Sequence, residues 1–396
     1  MDLSTFGPGS PGSFATITGT DPLRGEWTHK AFIPDPLPIQ MPQLSPGTYL
    51  AVANSRAALA SLDSVASQLP NPALFRLPTL RKEAQSTSAL EGTYAPLNEV
   101  LIAAEDTSES PAIKEIMNYV RMANIGFGAI SRGESLTVPF IAGLQGILMS
   151  GTALEDVSGK VRDTQVVIGK RDNAANESAV FAARFIPPPG GLLLESGIRD
   201  LLNWMNADHS ATIDPVVAAA MSHYQFETLH PFRDGNGRIG RFLIVLHLLH
   251  TGVLTEPTLT VSPWFEARRA DYYDSLLGVS TQGSWDSFVL FFSKGLKASA
   301  EATRSQMTAL VDVQETAKAQ LRASRLRADS AHALIDLAIA NPVLTVRDIE
   351  SQLKLSYSRA NGLIAQLTEL GILKSVNPDS YTRRFYIPAV IDVLAQ

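Results

Sequence analysis

Between two stretches of helical apolar periodicity the chain runs His230-Pro-Phe-Arg-Asp-Gly-Asn-Gly-Arg-Ile-Gly-Arg241, and no other segment restricts the fold as tightly. Gly235 and Gly237 permit backbone close to a ligand, and a helix beginning near Asn236 aims its N–H groups and positive dipole end at any anion there. Arg238 and Arg241 fall three apart on one face of that helix, where forked donors grip phosphate oxygens. Asp234, beside this cradle, suits Mg²⁺, which binds through one or two carboxylates plus phosphate oxygens. His230 precedes the loop, and histidine, with an ordinary pKa of about 6.5, suits a general base at neutral pH. The parts of phosphoryl-group chemistry thus lie within twelve residues, and chemistry of that kind rests mainly on positioning and charge stabilisation.

The rest of the chain supplies a setting for that segment. Its 396 residues predict two or three domains. A formal charge of -6 argues against a whole-chain polyanion binder, and the lack of cysteine excludes disulfides, thiolate metal sites and cysteine nucleophiles, which fits a cytoplasmic protein. Residues 1–30, rich in Gly, Pro and Thr, read as a flexible arm with no secretory signal. The longest apolar run, 242–249, is broken by His247 and falls far short of the roughly 20 residues that span a bilayer.

Prolines at 34, 36, 38, 42 and 46 predict extended backbone strapped onto a surface. Helical spacing follows over 48–68, ending before Pro70 and Pro72, then over 78–91, 96–103 and 109–132. Residues 161–187 read as a hairpin, with strands at 165–168 and 180–186 around a polar tip. Helices resume over 194–206, 212–228 and 236–252, with four more up to about 328, the last a polar connector over 298–330. Residues 331–396 predict two short helices, then strands at 372–376 and 381–387 around Asn377-Pro-Asp, the order of a winged helix-turn-helix.

The segment from His230 to Arg241 resembles the signature of the Fic family, His-x-Phe-x-(Asp/Glu)-Gly-Asn-Gly-Arg-x-x-Arg, at every fixed position. The likeness extends through Arg81-Lys-Glu-Ala-Gln-Ser-Thr-Ser-Ala-Leu-Glu-Gly92 upstream and Arg269-Ala-Asp-Tyr-Tyr downstream, covering about 30–300. It implies a mainly α fold: an N-terminal helical region over 31–108, a Fic helical core over 109–297 with a β-hairpin flap at 161–187, and the small winged helix-turn-helix beyond. It implies a protein adenylyltransferase that moves AMP from ATP, with Mg²⁺, onto a Ser, Thr or Tyr hydroxyl of a target protein docked along the flap, with self-modification as a further expectation.

In that resemblance His230 deprotonates the hydroxyl, Phe232 anchors the loop and Asp234 binds Mg²⁺. Gly235, Asn236, Gly237, Arg238, Ile239, Gly240 and Arg241 form the nucleotide cradle, with Arg241 on the γ-phosphate. Val166, Val167, Ile168 and Gly169 lie over the nucleotide, and Tyr272 and Tyr273 contact its adenosine end. Relatives often carry an asparagine where Ser280 stands here. Thr87-Ser-Ala-Leu-Glu-Gly92 matches the inhibitory motif (Ser/Thr)-x-x-x-Glu-(Gly/Asn), in which a glutamate, here Glu91, pairs with the second signature arginine and blocks the γ-phosphate. The resemblance also implies a homodimer.

Competing readings stand beside these. Glu91 also fits an ordinary helix-end carboxylate before a capping glycine, and Tyr272 and Tyr273 fit packed aromatics. His209, His247, His250 and His332 read as packed or surface histidines. His223, Glu227 and His230 have a spacing that could suggest metal ligation, but no second Glu-x-x-His accompanies them. The would-be recognition helix carries Ser356, Tyr357, Ser358, Arg359 and Asn361, yet the segment lacks the dense basic face of a strong DNA reader, so a protein or dimer contact is preferred to DNA. An ATP-sensing transcription-linked regulator, or transfer or removal of another phosphate-linked group on the same scaffold, remains the alternative function.

Overall fold

The computed structural model describes the chain except residues 22–24, 69–72, 104–109, 172–173, 175–176, 325–328, 377–382 and 396. The N-terminal ribbon pairs β1 (Gly12–Asp21) with β2 (Gly25–Pro34), in register from Gly12↔Pro34 to Asp21↔Gly25. Helices α1 (Pro46–Gln68), α2 (Ala73–Leu90), α3 (Leu97–Ile102), α4 (Pro111–Ser131) and α5 (Val138–Leu148) follow. The hairpin consists of β3 (Ile168–Lys170), a helical turn α6 (Ala179–Ala182) and β4 (Ala183–Phe185), paired Ile168↔Phe185 and Lys170↔Ala183. Next come α7 (Leu192–Asn206), α8 (Pro215–Leu229), α9 (Asn236–His250), α10 (Ser262–Glu266), α11 (Arg269–Gln282) and α12 (Trp285–Ala323). The C-terminal segment runs α13 (Asp329–Ala340), β5 (Leu344–Thr345), α14 (Val346–Leu353), α15 (Tyr357–Glu369), β6 (Lys374–Ser375), β7 (Arg384–Tyr386) and α16 (Pro388–Leu394). No helix among the described residues is long and apolar enough to cross a membrane.

Three expectations need correction. The supposed arm over 1–30 is a ribbon: Met1, Ile17, Ala31 and Phe32 are buried together with Ala183, Phe185 and Ile186 of the hairpin. β-Branched Thr16, Ile17 and Thr18 favour extended backbone, and their partner strand overlaps a segment that proline spacing had marked as strap. Second, the helix expected from 78 begins upstream at Ala73 and carries Pro78 inside it. Third, three helices replace the four expected before 328, because α12 continues unbroken for 39 residues through the boundary assigned at 298. Gly295 lies within it, and a β-carbon there would come within 2.9 Å of the Trp264 ring. Prolines 70 and 72, half of the hairpin tip, the end of the connector and the Asn377-Pro-Asp turn lie outside the described residues.

The chain forms two compact units that are discontinuous in sequence. The first comprises Met1–Ala57, Arg121–Leu254 and Trp264–Lys297. At its centre α8 packs on α7, α9 and β2. Nearly every residue of α8 and α9 is buried, as expected of helices apolar on most faces. The strap behaves as predicted: Trp204 Nε1 donates to Pro38 O (3.0 Å), Thr212 to Ile39 O (2.8 Å) and Gln225 to Asp35 O (3.0 Å).

The second unit comprises Ala58–Val120, Thr255–Pro263 and Ala298–Gln396. There α2 packs on α3, α13 and α16. Arg81 donates to the carbonyls of Val100, Leu101 and Ala103 at 2.8–3.1 Å, satisfying the open end of α3. Buried Glu83 accepts from Ser262 N (3.0 Å) and Ser262 Oγ (2.5 Å). In the C-terminal segment the strands order β5-β7-β6, a Thr345/Asp348 capping box opens α14, and Ser356 caps α15.

Candidate functional site

The sequence motif becomes a tightly braced loop between α8 and α9. His230 caps α8 with left-handed backbone (φ 48°, ψ 61°), and its amide donates to Phe226 O at 3.0 Å. The chain then turns inward. Phe232 is buried, and Asn236 locks it twice: Phe232 N–H donates to Asn236 Oδ1 and Asn236 Nδ2 donates to Phe232 O, each at 2.8 Å. Replacing Asn236 with alanine leaves a buried N–H and a buried carbonyl without these partners, each costing about 1–3 kcal/mol. Chemical denaturation is expected to show a loss of about 2–4 kcal/mol.

Gly235 opens α9 at φ 81°, and a β-carbon there would lie 3.0 Å from Leu148 Cδ2. No side chain caps this helix end, so its amides and dipole favour an anion. Asp234 accepts from Gly235 N at 2.6 Å and stands 3.5 Å from Arg238 Nη2, with its side chain 45% exposed. Arg238 and Arg241 are buried along the same face. Gly240 sets how near α8 can approach: a β-carbon would meet Glu227 Oε1 at 2.2 Å. Among the described residues no cluster of three or more His, Cys, Asp or Glu side chains could hold a metal by itself. A single half-exposed carboxylate beside an anion cradle nevertheless fits Mg²⁺ shared with phosphate oxygens.

Behind α9 lies a buried network. His223 Nδ1 is 3.1 Å from Gly240 O and therefore carries the proton, which leaves Nε2 to accept from Tyr272 Oη at 2.7 Å. Burial, reinforced by the Arg241 charge, lowers the His223 pKa to about 3. Tyr272 is thus core, stacked 5.8 Å from His223. Its hydroxyl is engaged by His223, and its expected contact with adenosine stays a proposal. Tyr273 is half-buried, with Arg269 5.7 Å over its ring. Ser280 is also buried, bonded to Tyr224 Oη at 3.0 Å. In the hairpin Val167 and Ile168 pack into the N-terminal apolar cluster, Val166 is half-buried and Gly169 is left-handed at φ 62°.

Two residues that sequence reasoning passed over brace the loop. Gln145 donates to Asp234 O (3.0 Å) and Ser158 Oγ (3.3 Å) while accepting from Gly159 N (2.6 Å). Arg162 donates only to backbone carbonyls, including that of His230. A lone glutamine in an apolar helix was the one available hint of the first; nothing local marked the second. Glu91 belongs to the second unit, exposed in the turn that ends α2, where Glu91 N donates to Ser88 O at 3.0 Å and Gly92 adopts φ 96°.

The fold and loop define a mainly helical unit in which the N-terminus of α9 has no side-chain cap. Residues 135–248 match the Fic/DOC family and residues 49–128 match the Fic/DOC family N-terminal segment. It is 33% identical over 144 residues to protein adenylyltransferase fic-1 of Caenorhabditis elegans, covering 36% of this chain and 24% of that one. It is 39% identical over 79 residues to the probable protein adenylyltransferase aq_aa38 of Aquifex aeolicus, covering 20% and 24% respectively. The chain therefore spans about a quarter of the length of these curated relatives. A crystal structure of a Fic family protein from Desulfovibrio desulfuricans covers 88% of this chain and 98% of its own, at 24% identity and a TM-score of 0.54, a likeness of fold.

Proposed function

We propose that this chain is a protein adenylyltransferase. The observation that carries the reading is the placement of His230, fixed by a left-handed cap immediately before an uncapped helix terminus lined by two buried arginines. His230 takes the proton of a target Ser, Thr or Tyr hydroxyl, whose oxygen attacks the α-phosphorus of ATP. The bond to pyrophosphate breaks as the new P–O bond forms. Gly235, Asn236, Gly237 and Arg238 hold the α and β phosphates, and Arg241 holds the γ-phosphate. When bound, Mg²⁺ on Asp234 neutralises phosphate charge. The β3–β4 hairpin offers backbone for an added target strand, a mode that selects weakly for sequence. Tyr273 remains the aromatic candidate for the adenosine end.

The same reading makes Glu91 a brake on Arg241. Its support is the Thr87-to-Gly92 sequence motif. Replacing Glu91 with glycine is expected to raise AMP transfer by about 5- to 150-fold, the span of a typical coupling free energy of about 1–3 kcal/mol. The assay follows label from α-labelled ATP onto protein, and an unchanged rate removes the brake from the account.

The C-terminal segment is read as a winged helix on its strand order and the exposure of Ser356, Tyr357, Ser358 and Arg359. It is assigned to protein or dimer contact rather than DNA because a dense basic face is missing from its sequence. A cytoplasmic homodimer that also modifies itself completes the proposal.

A further inference from the structure

One guanidinium in the first unit is committed entirely to neutral backbone oxygens. Arg162 is 2% exposed. Its Nε donates to His230 O at 2.8 Å, Nη1 to Thr164 O at 2.8 Å, and Nη2 to Pro188 O at 2.6 Å and Leu229 O at 3.4 Å. Its amide donates to Pro231 O at 2.9 Å. Thr164 precedes β3, Pro188 follows β4, and Leu229 and His230 end α8. One planar group therefore joins both stems of the hairpin to the backbone of the histidine.

The surroundings show that this junction is built. His230 is one of two non-glycine residues with positive φ among the described residues, a conformation that persists where neighbouring structure over-determines it. Gly190 allows the returning strand to close on the same point, since a β-carbon there would lie 2.5 Å from Asp163 C and 2.8 Å from Arg162 O. Arg233 and Asp163 pair at 3.1 Å across the same seam. Lysine cannot replace the clamp, because a single ammonium cannot meet acceptors set around the edges of a plane.

We propose that Arg162 is a positioning residue that fixes the His230 backbone and registers the β3–β4 hairpin, with any strand docked on it, against the imidazole. The role assigned to His230 and the hairpin rests on the transferase reading; the mechanical coupling does not. The guanidinium bonds none of the residues of α9, so the loss of Arg162 separates alignment from the proposed phosphate contacts of that helix.

The test uses Arg162→Lys and Arg162→Gln in the full chain. Hydrogen exchange is followed over 164–170, 229–233 and 241–248, and AMP transfer from α-labelled ATP is measured in the Glu91→Gly background. Exchange is expected to accelerate at least about tenfold in the first two segments together and to stay unchanged in α9. kcat is expected to fall on the order of 10²-fold, while KM for ATP stays within about twofold. Exchange rising throughout the unit, or in only one of the two segments, overturns the coupling and leaves Arg162 a general stabiliser. A Lys variant that retains kcat within about threefold overturns the positioning role. If the parent transfers no AMP, the transferase reading fails, and the exchange pattern still decides the coupling.

Discussion

Replacing His230 with alanine is expected to lower AMP transfer by about 10²- to 10⁴-fold, the range supplied by a positioned general base. ATP affinity should change by no more than about twofold, because in the proposed mechanism the phosphate contacts come from α9 and the histidine acts on the incoming hydroxyl. The helix itself is not at risk: His230 follows the last residue of α8, and its amide and carbonyl bonds are made by the backbone. The expected signature is thus a fall in kcat with little change in the calorimetric ATP constant. A loss of ATP binding in parallel with activity would place His230 in the cradle rather than at the hydroxyl.

Below pH 6.5 the first unit is expected to lose stability steeply. Burial lowers the pKa values of His223 and His247 from 6.5 to about 3 each, with Arg241 adding to the first, and His250 and His209 to the second. Both folded values lie below the unfolded value, so the unfolded chain binds more protons between them. The stabilisation is complete above pH 6.5 and declines as the pH falls toward 3. Each histidine contributes a slope of up to about 1.4 kcal/mol per pH unit.

His247 separates the two contributions. Both of its ring nitrogens are buried without a hydrogen-bond partner, whereas His223 has two. His247→Leu should therefore raise stability at pH 7 by about 1–3 kcal/mol and remove about half of the acid slope. Urea midpoints from pH 7.5 to 4.5 check both, and a His247→Leu slope equal to the parent's would show that His247 is not buried in its neutral form.

The frame of the α8–α9 loop was legible in the sequence because its parts are contiguous: the His230 cap, the turn glycine Gly235 and two arginines follow one another within twelve residues. Long periodic helices such as α1, α7 and α9 were readable for the same local reason. Features that depend on distant partners were not. The β1–β2 ribbon is stabilised by Phe32 against Phe185, with ring centroids 5.7 Å apart, and thirty threonine- and glycine-rich residues look like an arm until that surface is present. Arg162 is found only through carbonyls of the hairpin stems and α8. The packing of Tyr272 on His223, one of its two readings from sequence, depends on an acceptor 49 residues away in the chain. The discontinuous units follow from α1, α4 and α12, each of which carries residues of both, a division that no composition shift announces.

The most direct test of the account compares α-labelled with γ-labelled ATP as donors to the Glu91→Gly chain in a protein extract, with Glu91→Gly/His230→Ala alongside. The account predicts protein-bound label from the α position alone, lost with His230. Label from the γ position would assign phosphoryl transfer instead, and no label from either would contradict the transferase.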